Sequence, residues 1–378
     1  MSANDPMVVG IGRSPYSRNS GRTTWAMAVE ACRQAVDDAG LPMSEVDGIV
    51  EFNTGDSTGS LNVAYGLGLP GLRYPVDIAN GGNVVTLAVA LACQAVQTGK
   101  CKAVLVYRSL NSRSGKRLGT FTGNLEIGGD DQYGAPHGYM APGQWFAMFC
   151  RRYMHEFGTT YEDLGEVAIV TREHAVKNDW AIMRDPIDME KYLASRWIYD
   201  PFRLYDCALE ADGATAILVT SRERARDLKQ VPVQMLDEET FMGRHPDSWE
   251  DFGNLFSAHC APPLWERTGF KPSDMDFACI YDCFTFTTVA VMEDYGFCGK
   301  GEAGDYYRSG KATYGGDCVI NPHGGLLSEA YIHGMNHHYE AVLQLRHQAG
   351  ERQVADAKVA LVTAGTGPFG GGLIYARA

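Results

Sequence analysis

Residues 39–50 read A-G-L-P-M-S-E-V-D-G-I-V and residues 268–280 read T-G-F-K-P-S-D-M-D-F-A-C-I, and the two stretches align residue for residue without a gap. In each, a helix-like segment stops at a glycine, Gly40 or Gly269, where a left-handed cap costs glycine least. A short turn containing Pro42 or Pro272 then leads into a strand. Downstream, each copy reaches a glycine pair, Gly81-Gly82 or Gly324-Gly325, then an apolar helical pattern, then a strand at 103–107 or 359–363. Those strands are continuously apolar, the pattern of a sheet covered by helices on both faces. The expectation is a duplicated α/β protein with mixed five-stranded sheets in layers, divided into residues 1–230 and 231–378. Between the repeats lies an insertion at about 111–197, glycine-rich at first (Gly115, Gly119, Gly123, Gly128, Gly129) and helical through 145–157. Its length points to a functional loop or lid, against the plainer reading of a surface decoration on a dimer partner.

Composition narrows the function classes. Of 378 residues, 45% are apolar and 21% charged, and Lys plus Arg number 33 against 46 Asp plus Glu, a net charge of −13. That balance argues against broad attraction to nucleic acid. Ten cysteines without a C-x-x-C pair fit a reducing compartment and neither a disulfide framework nor a zinc ribbon. Residues 1–6 are short and polar, so no signal or transit peptide is expected and the cytoplasm is the expected location. The uncharged stretch 78–99 is broken by Asn80, Asn83, Gln94 and Gln97, so it reads as a buried helix and no membrane partner is expected.

Three further stretches carry a family resemblance. Residues 201–216 read P-F-R-L-Y-D-C-A-L-E-A-D-G-A-T-A, residues 281–284 read Y-D-C-F, and residues 321–326 read N-P-H-G-G-L. Together with the duplicated architecture they resemble the sterol-carrier-protein type of thiolase, whose corresponding motifs include H-D-C-F, N-P-S-G-G and G-H-P. The resemblance implies the thiolase fold, an αβαβα layering, over residues 8–375.

The departures from that family carry the chemistry. Aligning V-D-I-A-N-G-G-N from Val76 with the family's nucleophile loop puts Asn80 where thiolases hold their reactive cysteine. Cys93 lies two to three turns further on and reads as a helix-core cysteine. Tyr281 replaces the H-D-C-F histidine, and by register Tyr331 replaces the G-H-P histidine. Without the nucleophile, Claisen chemistry through an acyl-enzyme is excluded. A CoA-thioester pocket furnished with phenols resembles instead the thiolase-related aldolases of steroid side-chain degradation, which cleave a β-hydroxyacyl-CoA by retro-aldol reaction.

Such a reaction needs a base for the β-hydroxyl, a site for the thioester enolate and an acid for its α-carbon. The resemblance assigns Tyr331 as base and Tyr281 as acid or oxyanion partner, roles that are exchangeable at this stage; the competing reading is two core phenols. His323 and His333 flank the same loops and are candidate proton relays, against the plainer role of structural hydrogen-bonders. Cys283 is a candidate proton donor. Asn80, Gly81 and Gly82 precede a buried helix, so their N–H groups are candidate oxyanion contacts, joined by Gly365 and Gly367 of the C-terminal glycine loop. Arg108, Arg113, Lys116 and Arg117 form a basic cluster that is the candidate for CoA phosphates, against the equal reading of a solvated basic face. No metal is expected and CoA enters only as part of the substrate. The resemblance further implies a homodimer formed through residues 84–107 and a separate partner subunit with an OB-fold and a zinc ribbon. The competing functions are an acyltransferase, which would trap an acyl group on cysteine, and a non-catalytic lipid-CoA carrier or scaffold subunit.

Overall fold

The structure is a computed structural model and describes residues 2–115, 117, 131–139, 141–243 and 255–378. Five strands of the first repeat, β1 (Pro6–Arg13), β2 (Gly48–Asn53), β3 (Tyr74–Ala79), β4 (Ala103–Asn111) and β5 (Asp212–Ser221), lie in the order β3-β2-β4-β5-β1. Five strands of the second, β6 (Val233–Met242), β7 (Phe277–Cys279), β8 (Val319–Ile320), β9 (Val359–Thr366) and β10 (Phe369–Arg377), lie in the order β8-β7-β9-β10-β6. Counted within its own half, each order is 3-2-4-5-1. In each sheet the second strand runs parallel to the third and fourth, and the fifth runs antiparallel to its neighbours. The sequence repeat is therefore a repeat of topology. One refinement concerns the seam: β1 and β6 pair through Met7–Gln234 and Val8–Val233, so the two mixed sheets meet edge to edge as ten strands.

Among the described residues, the helices of ten or more residues are α1 (Thr24–Ala39), α2 (Val85–Gln97), α3 (Pro142–Phe157), α4 (Tyr161–Val176), α5 (Phe256–Thr268), α6 (Thr285–Asp294) and α7 (Met335–Leu345). The repeated caps form as the sequence dictates: Gly40 and Gly269 both take φ 72° and close α1 and α5, and short turns at Met43–Glu45 and Pro272–Asp274 follow.

Strand periodicity sorts the core into layers. Val50, Val104, Val106 and Val219 of the first sheet, and Phe277, Cys279, Ala360 and Val362 of the second, face inward onto α2 and α7. The alternate residues Met7, Val9, Ile49 and Leu105 face α1 on one outer side. Ala278, Ile280, Leu361 and Ile374 face α5 and α6 on the other. This is the five-layer αβαβα arrangement. Helix α2 carries no charge because both sheets cover it, and Cys93 lies fully buried within it.

The described part of the insertion is not a loop thrown over the surface. Helices α3 and α4 bury Phe146, Phe149, Tyr153, Leu164 and Val167 against α6 and the second sheet, thickening its outer layer. Gly119, Gly123, Gly128 and Gly129 lie outside the described residues. No described helix is long and apolar enough to cross a membrane.

Close approach of β1 and α1 fixes one position. A Cβ on Gly10 would overlap the Ala35 carbonyl, which is backbone and cannot swing aside. Gly10→Ala is expected to lift α1 from the sheet and cost about 1–3 kcal/mol, read as a lowered thermal midpoint, whereas Gly71→Ala, with nothing within 4 Å, leaves it unchanged.

Candidate active site

The site forms where loops at the inner ends of β7, β3 and β9 meet the start of α2 and α7. Tyr281 lies two residues beyond the end of β7. Its backbone N–H donates to Thr363 Oγ1 at 3.0 Å, and the preceding Ile280 is clamped by Asn321 through bonds of 2.8 and 2.9 Å. Asp282 then accepts from the backbone of Leu326 (2.7 Å) and Leu327 (3.3 Å), which ties the Y-D-C-F loop to the N-P-H-G-G loop. The segment after Cys207 laces both together, because Ala208 donates to Cys283 O, Leu209 donates to Leu326 O and Tyr331 donates to Leu209 O. Two loops 50 residues apart are thereby held in register, and the hydroxyls of Tyr281 and Tyr331 sit 2.8 Å apart. Their rings meet edge-on at 6.2 Å.

The Asn80-Gly81-Gly82 turn lies against this pair. Asn80 adopts φ 105° and Gly81 φ 56°, and a Cβ on Gly82 would overlap the Tyr281 hydroxyl. Glycine is required there because a phenol occupies the space of a side chain. The C-terminal loop joins through Thr366, whose N–H donates to Asn83 Oδ1 at 3.3 Å, while Asn83 donates to Asn80 Oδ1 at 3.3 Å. Gly365 (φ 92°) and Gly367 (φ 61°) flank that contact.

His333 packs its ring 4.8 Å from that of Tyr331. Its Nδ1 accepts from Arg108 Nε at 3.1 Å and lies 3.0 Å from Nη2. Arg108 is fully buried and paired with Asp56 at 2.6 Å and Glu51 at 3.7 Å. His323 points elsewhere. It is sealed within the core, with Nε2 3.1 Å from His337 Nδ1 and 3.8 Å from Glu329, and His337 in turn approaches Asp282 at 3.5 Å. Cys283 is buried beside Tyr281 and Leu326, with Sγ 3.9 Å from Thr287 Oγ1.

Burial sets the protonation states. It pushes both phenols up, Tyr281 fully enclosed and Tyr331 half-buried. Within the pair, the Tyr281 hydroxyl favours the Tyr331 anion, and Arg108 pulls both phenols back toward ionisation. Burial and Arg108 keep His333 neutral, and burial keeps His323 neutral and raises the Cys283 thiol. Burial holds Glu51 up at about 7, with Asn53 and Arg108 pulling it back, while Arg108 overcomes the burial of Asp56 and holds it low.

The basic cluster read from the sequence disperses. Arg108 belongs to the buried network and cannot meet a phosphate at the surface. Arg113 and Arg117 are exposed, Arg117 paired with Glu210 at 2.6 Å, and Glu210 bridges to Tyr331 in the backbone. Lys116 lies outside the described residues. The residues that sequence reasoning missed are Asp282, which stood unread inside Y-D-C-F, and Glu51, whose signal was a carboxylate in the apolar run G-I-V-E-F.

One trio has metal-ligand chemistry. Atoms of Cys279, His323 and His337 lie within 4.8 Å of one another, all buried. The 3.1 Å spacing of the two imidazoles is already that of a direct hydrogen bond, so the trio is accounted for without an ion. What the centre offers chemically is a pair of phenols that can exchange a proton, backbone N–H groups at a helix start, and an imidazole, with no thiol at the Asn80 turn.

Residues 245–373 match the family described as thiolase C-terminal domain-like. Over 99% of its length the chain is 42% identical to the whole of the 17-hydroxy-3-oxo-4-pregnene-20-carboxyl-CoA lyase of Mycobacterium tuberculosis. It is 40% identical to the steroid side-chain-cleaving aldolase of Thermomonospora curvata, over 97% of this chain and 96% of that one. The solved structure of the Ltp2-ChsH2(DUF35) aldolase superposes with a TM-score of 0.91 at 38% identity, covering 100% of this chain and 99% of that chain.

The tight fit of Gly82 against Tyr281 gives a test. Gly82→Ala is expected to displace the Tyr281 ring and break the 2.8 Å bond to Tyr331, at an overpacking cost of about 1–3 kcal/mol. The ring displacement is read from a crystal structure of the variant, and the cost from denaturant unfolding.

Proposed function

The chain belongs to the thiolase-like aldolases of the thiolase superfamily, and from that premise we propose that it cleaves a β-hydroxyacyl-CoA with a steroid or bile acid side chain by retro-aldol reaction. The products are a ketone and a short acyl-CoA such as propionyl-CoA. The observation that carries this reading is the Tyr281–Tyr331 pair, 2.8 Å apart, set against a turn that offers Asn80 where an acyl-enzyme would need a thiol.

In the proposed mechanism Tyr331, the half-exposed phenol, takes the β-hydroxyl proton, and Tyr281 supports its anion through their shared hydrogen bond. The Cα–Cβ bond breaks, its electron pair enters the thioester as an enolate, and the β-carbon leaves as a ketone. The proton is returned to the α-carbon, so the reaction is proton-neutral overall. N–H groups of the Asn80-Gly81-Gly82 turn, ahead of α2, receive the enolate oxygen, joined by Gly365 and Gly367 of the C-terminal loop, which contacts that turn through Thr366 and Asn83. Arg113, Lys116 and Arg117 take the CoA phosphates; the exposure of Arg113 and Arg117 supports this. No resident cofactor is required. In this reading the protein works in the cytoplasm as a homodimer joined to a separate OB-fold, zinc-ribbon subunit; the two-component name of the similar aldolase structure supports the separate partner.

The test is mass spectrometry of products from a β-hydroxy steroid acyl-CoA, with the protein co-expressed with its partner. Ketone plus short acyl-CoA is expected, with Tyr331→Phe lowering kcat by roughly 10²–10⁴-fold while thioester binding persists. Tight binding without cleavage would favour the carrier reading, and an acyl group trapped on cysteine the acyltransferase.

The raised phenol pKa gives a second expectation. A base that must lose a proton, and whose burial raises its pKa, makes kcat/KM climb with pH through the neutral range, approaching about tenfold per unit. Measured pH–rate profiles should show that rise in the wild type and a flat profile in Tyr331→Phe.

A further inference from the structure

The buried cation Arg108 does more than neutralise carboxylates. A guanidinium has donors and no acceptor, so the His333 Nδ1 that faces both Nε (3.1 Å) and Nη2 (3.0 Å) must present its lone pair. The proton of the neutral imidazole then lies on Nε2. That nitrogen has no hydrogen-bond partner among the described residues, and it is not among the side-chain atoms sealed from solvent without one. The ring is held between Tyr331, 4.8 Å away, and the Gly81 turn, where a Cβ would lie 3.4 Å from His333 Cε1. Holding it there uses φ 49° at His333 and 80° at Gly334, a left-handed backbone uncommon for residues other than glycine.

We propose that His333 is a catalytic hydrogen-bond donor of this site, presenting Nε2–H to the thioester oxygen as the enolate forms, and that Arg108 is the positioning residue that fixes this tautomer. The inference rests on the aldolase reading. As the Cα–Cβ pair moves into the thioester, negative charge gathers on its oxygen; His333 shares its proton with that oxygen and keeps it, while the phenols carry out the proton transfers. Asp56 and Glu51 hold Arg108 in place against the ring, so the donor is oriented before substrate arrives, the condition under which a hydrogen bond lowers a barrier most.

The experiment uses the protein co-expressed with its partner. An asparagine amide nitrogen falls near the Nδ1 position and a glutamine amide nitrogen near Nε2. His333→Asn is therefore expected to lower kcat by roughly 10²–10³-fold with KM little changed, and His333→Gln to recover much of the loss. Arg108→Lys should slow the wild type and cost nothing further in a His333→Asn background, the non-additivity of a residue acting through another. Histidine ¹⁵N resonances of the wild type should show Nδ1 unprotonated and Nε2 protonated, a readout available even if Arg108→Lys does not fold. Wild-type turnover in His333→Asn, additive effects in the double variant, or a proton on Nδ1 would overturn the proposal. If the wild type cleaves nothing, the aldolase reading fails separately. The donor is then judged with a ¹³C-carbonyl acyl-CoA lacking the β-hydroxyl. A carbonyl stretch lowered on binding to wild type but not to His333→Asn upholds it, and equal stretches reject it.

Discussion

Two helices enclosed between two sheets are the constraint on which everything else hangs. Helix α2 can be free of charge because residues of both sheets cover it, and α7 takes the equivalent place in the second half. Enclosed side by side, the two helices bring their N-terminal turns together: a Cβ on Gly334, before α7, would lie 3.0 Å from the Tyr281 ring and 3.2 Å from Val85 of α2. Helix starts leave N–H groups without intrahelical partners, and the duplication delivers two such starts to one point. The site is therefore a product of the layering, and the chemistry at it depends on which side chains the flanking loops supply.

Those loops supply phenols, and the surroundings tell them apart. Both hydroxyls are raised by burial and pulled back in part by Arg108, but only Tyr331 is part-exposed and favoured as an anion by its neighbour's hydroxyl. A symmetric pair of tyrosines in the sequence thus becomes an asymmetric acid–base pair in the fold. The thiols follow the opposite logic. Cys283 is buried beside Tyr281 and Leu326 and pushed up by that burial, which favours an inert packing role over nucleophilic work.

Much of the fold was legible because its determinants are local. Gly40 and Gly269 mark helix ends by a backbone requirement that a single residue announces, and the apolar runs at 103–107 and 359–363 mark doubly covered strands. The tyrosine pair was legible only through motif positions, since nothing within either loop announces that residues 281 and 331 touch. What stayed hidden was non-local. Arg108 reads as one of four basic residues within ten positions, yet it has the strand parity of Val104 and Val106 and points inward. Its partners Glu51, Asp56 and His333 lie 57, 52 and 225 positions away. His323 illustrates the converse: its motif neighbours suggest a catalytic histidine, but its imidazole turns into the core to meet His337.

The same network bears on why a charge is kept there at all. Removing ions from water costs several kcal/mol each, and buried pairs often repay so little that well-packed apolar residues would serve stability as well or better. Arg108 is fully enclosed, and one oxygen of each of its carboxylate partners finds no hydrogen bond, Glu51 Oε1 and Asp56 Oδ2. An arrangement so incompletely satisfied is a poor way to stabilise an interior. It is an effective way to hold one nitrogen of an imidazole as an acceptor, which leaves the other as a donor beside two phenols and a helix start. The cost of the buried charge is thus better explained by the orientation it imposes on His333 than by any contribution to the stability of the fold.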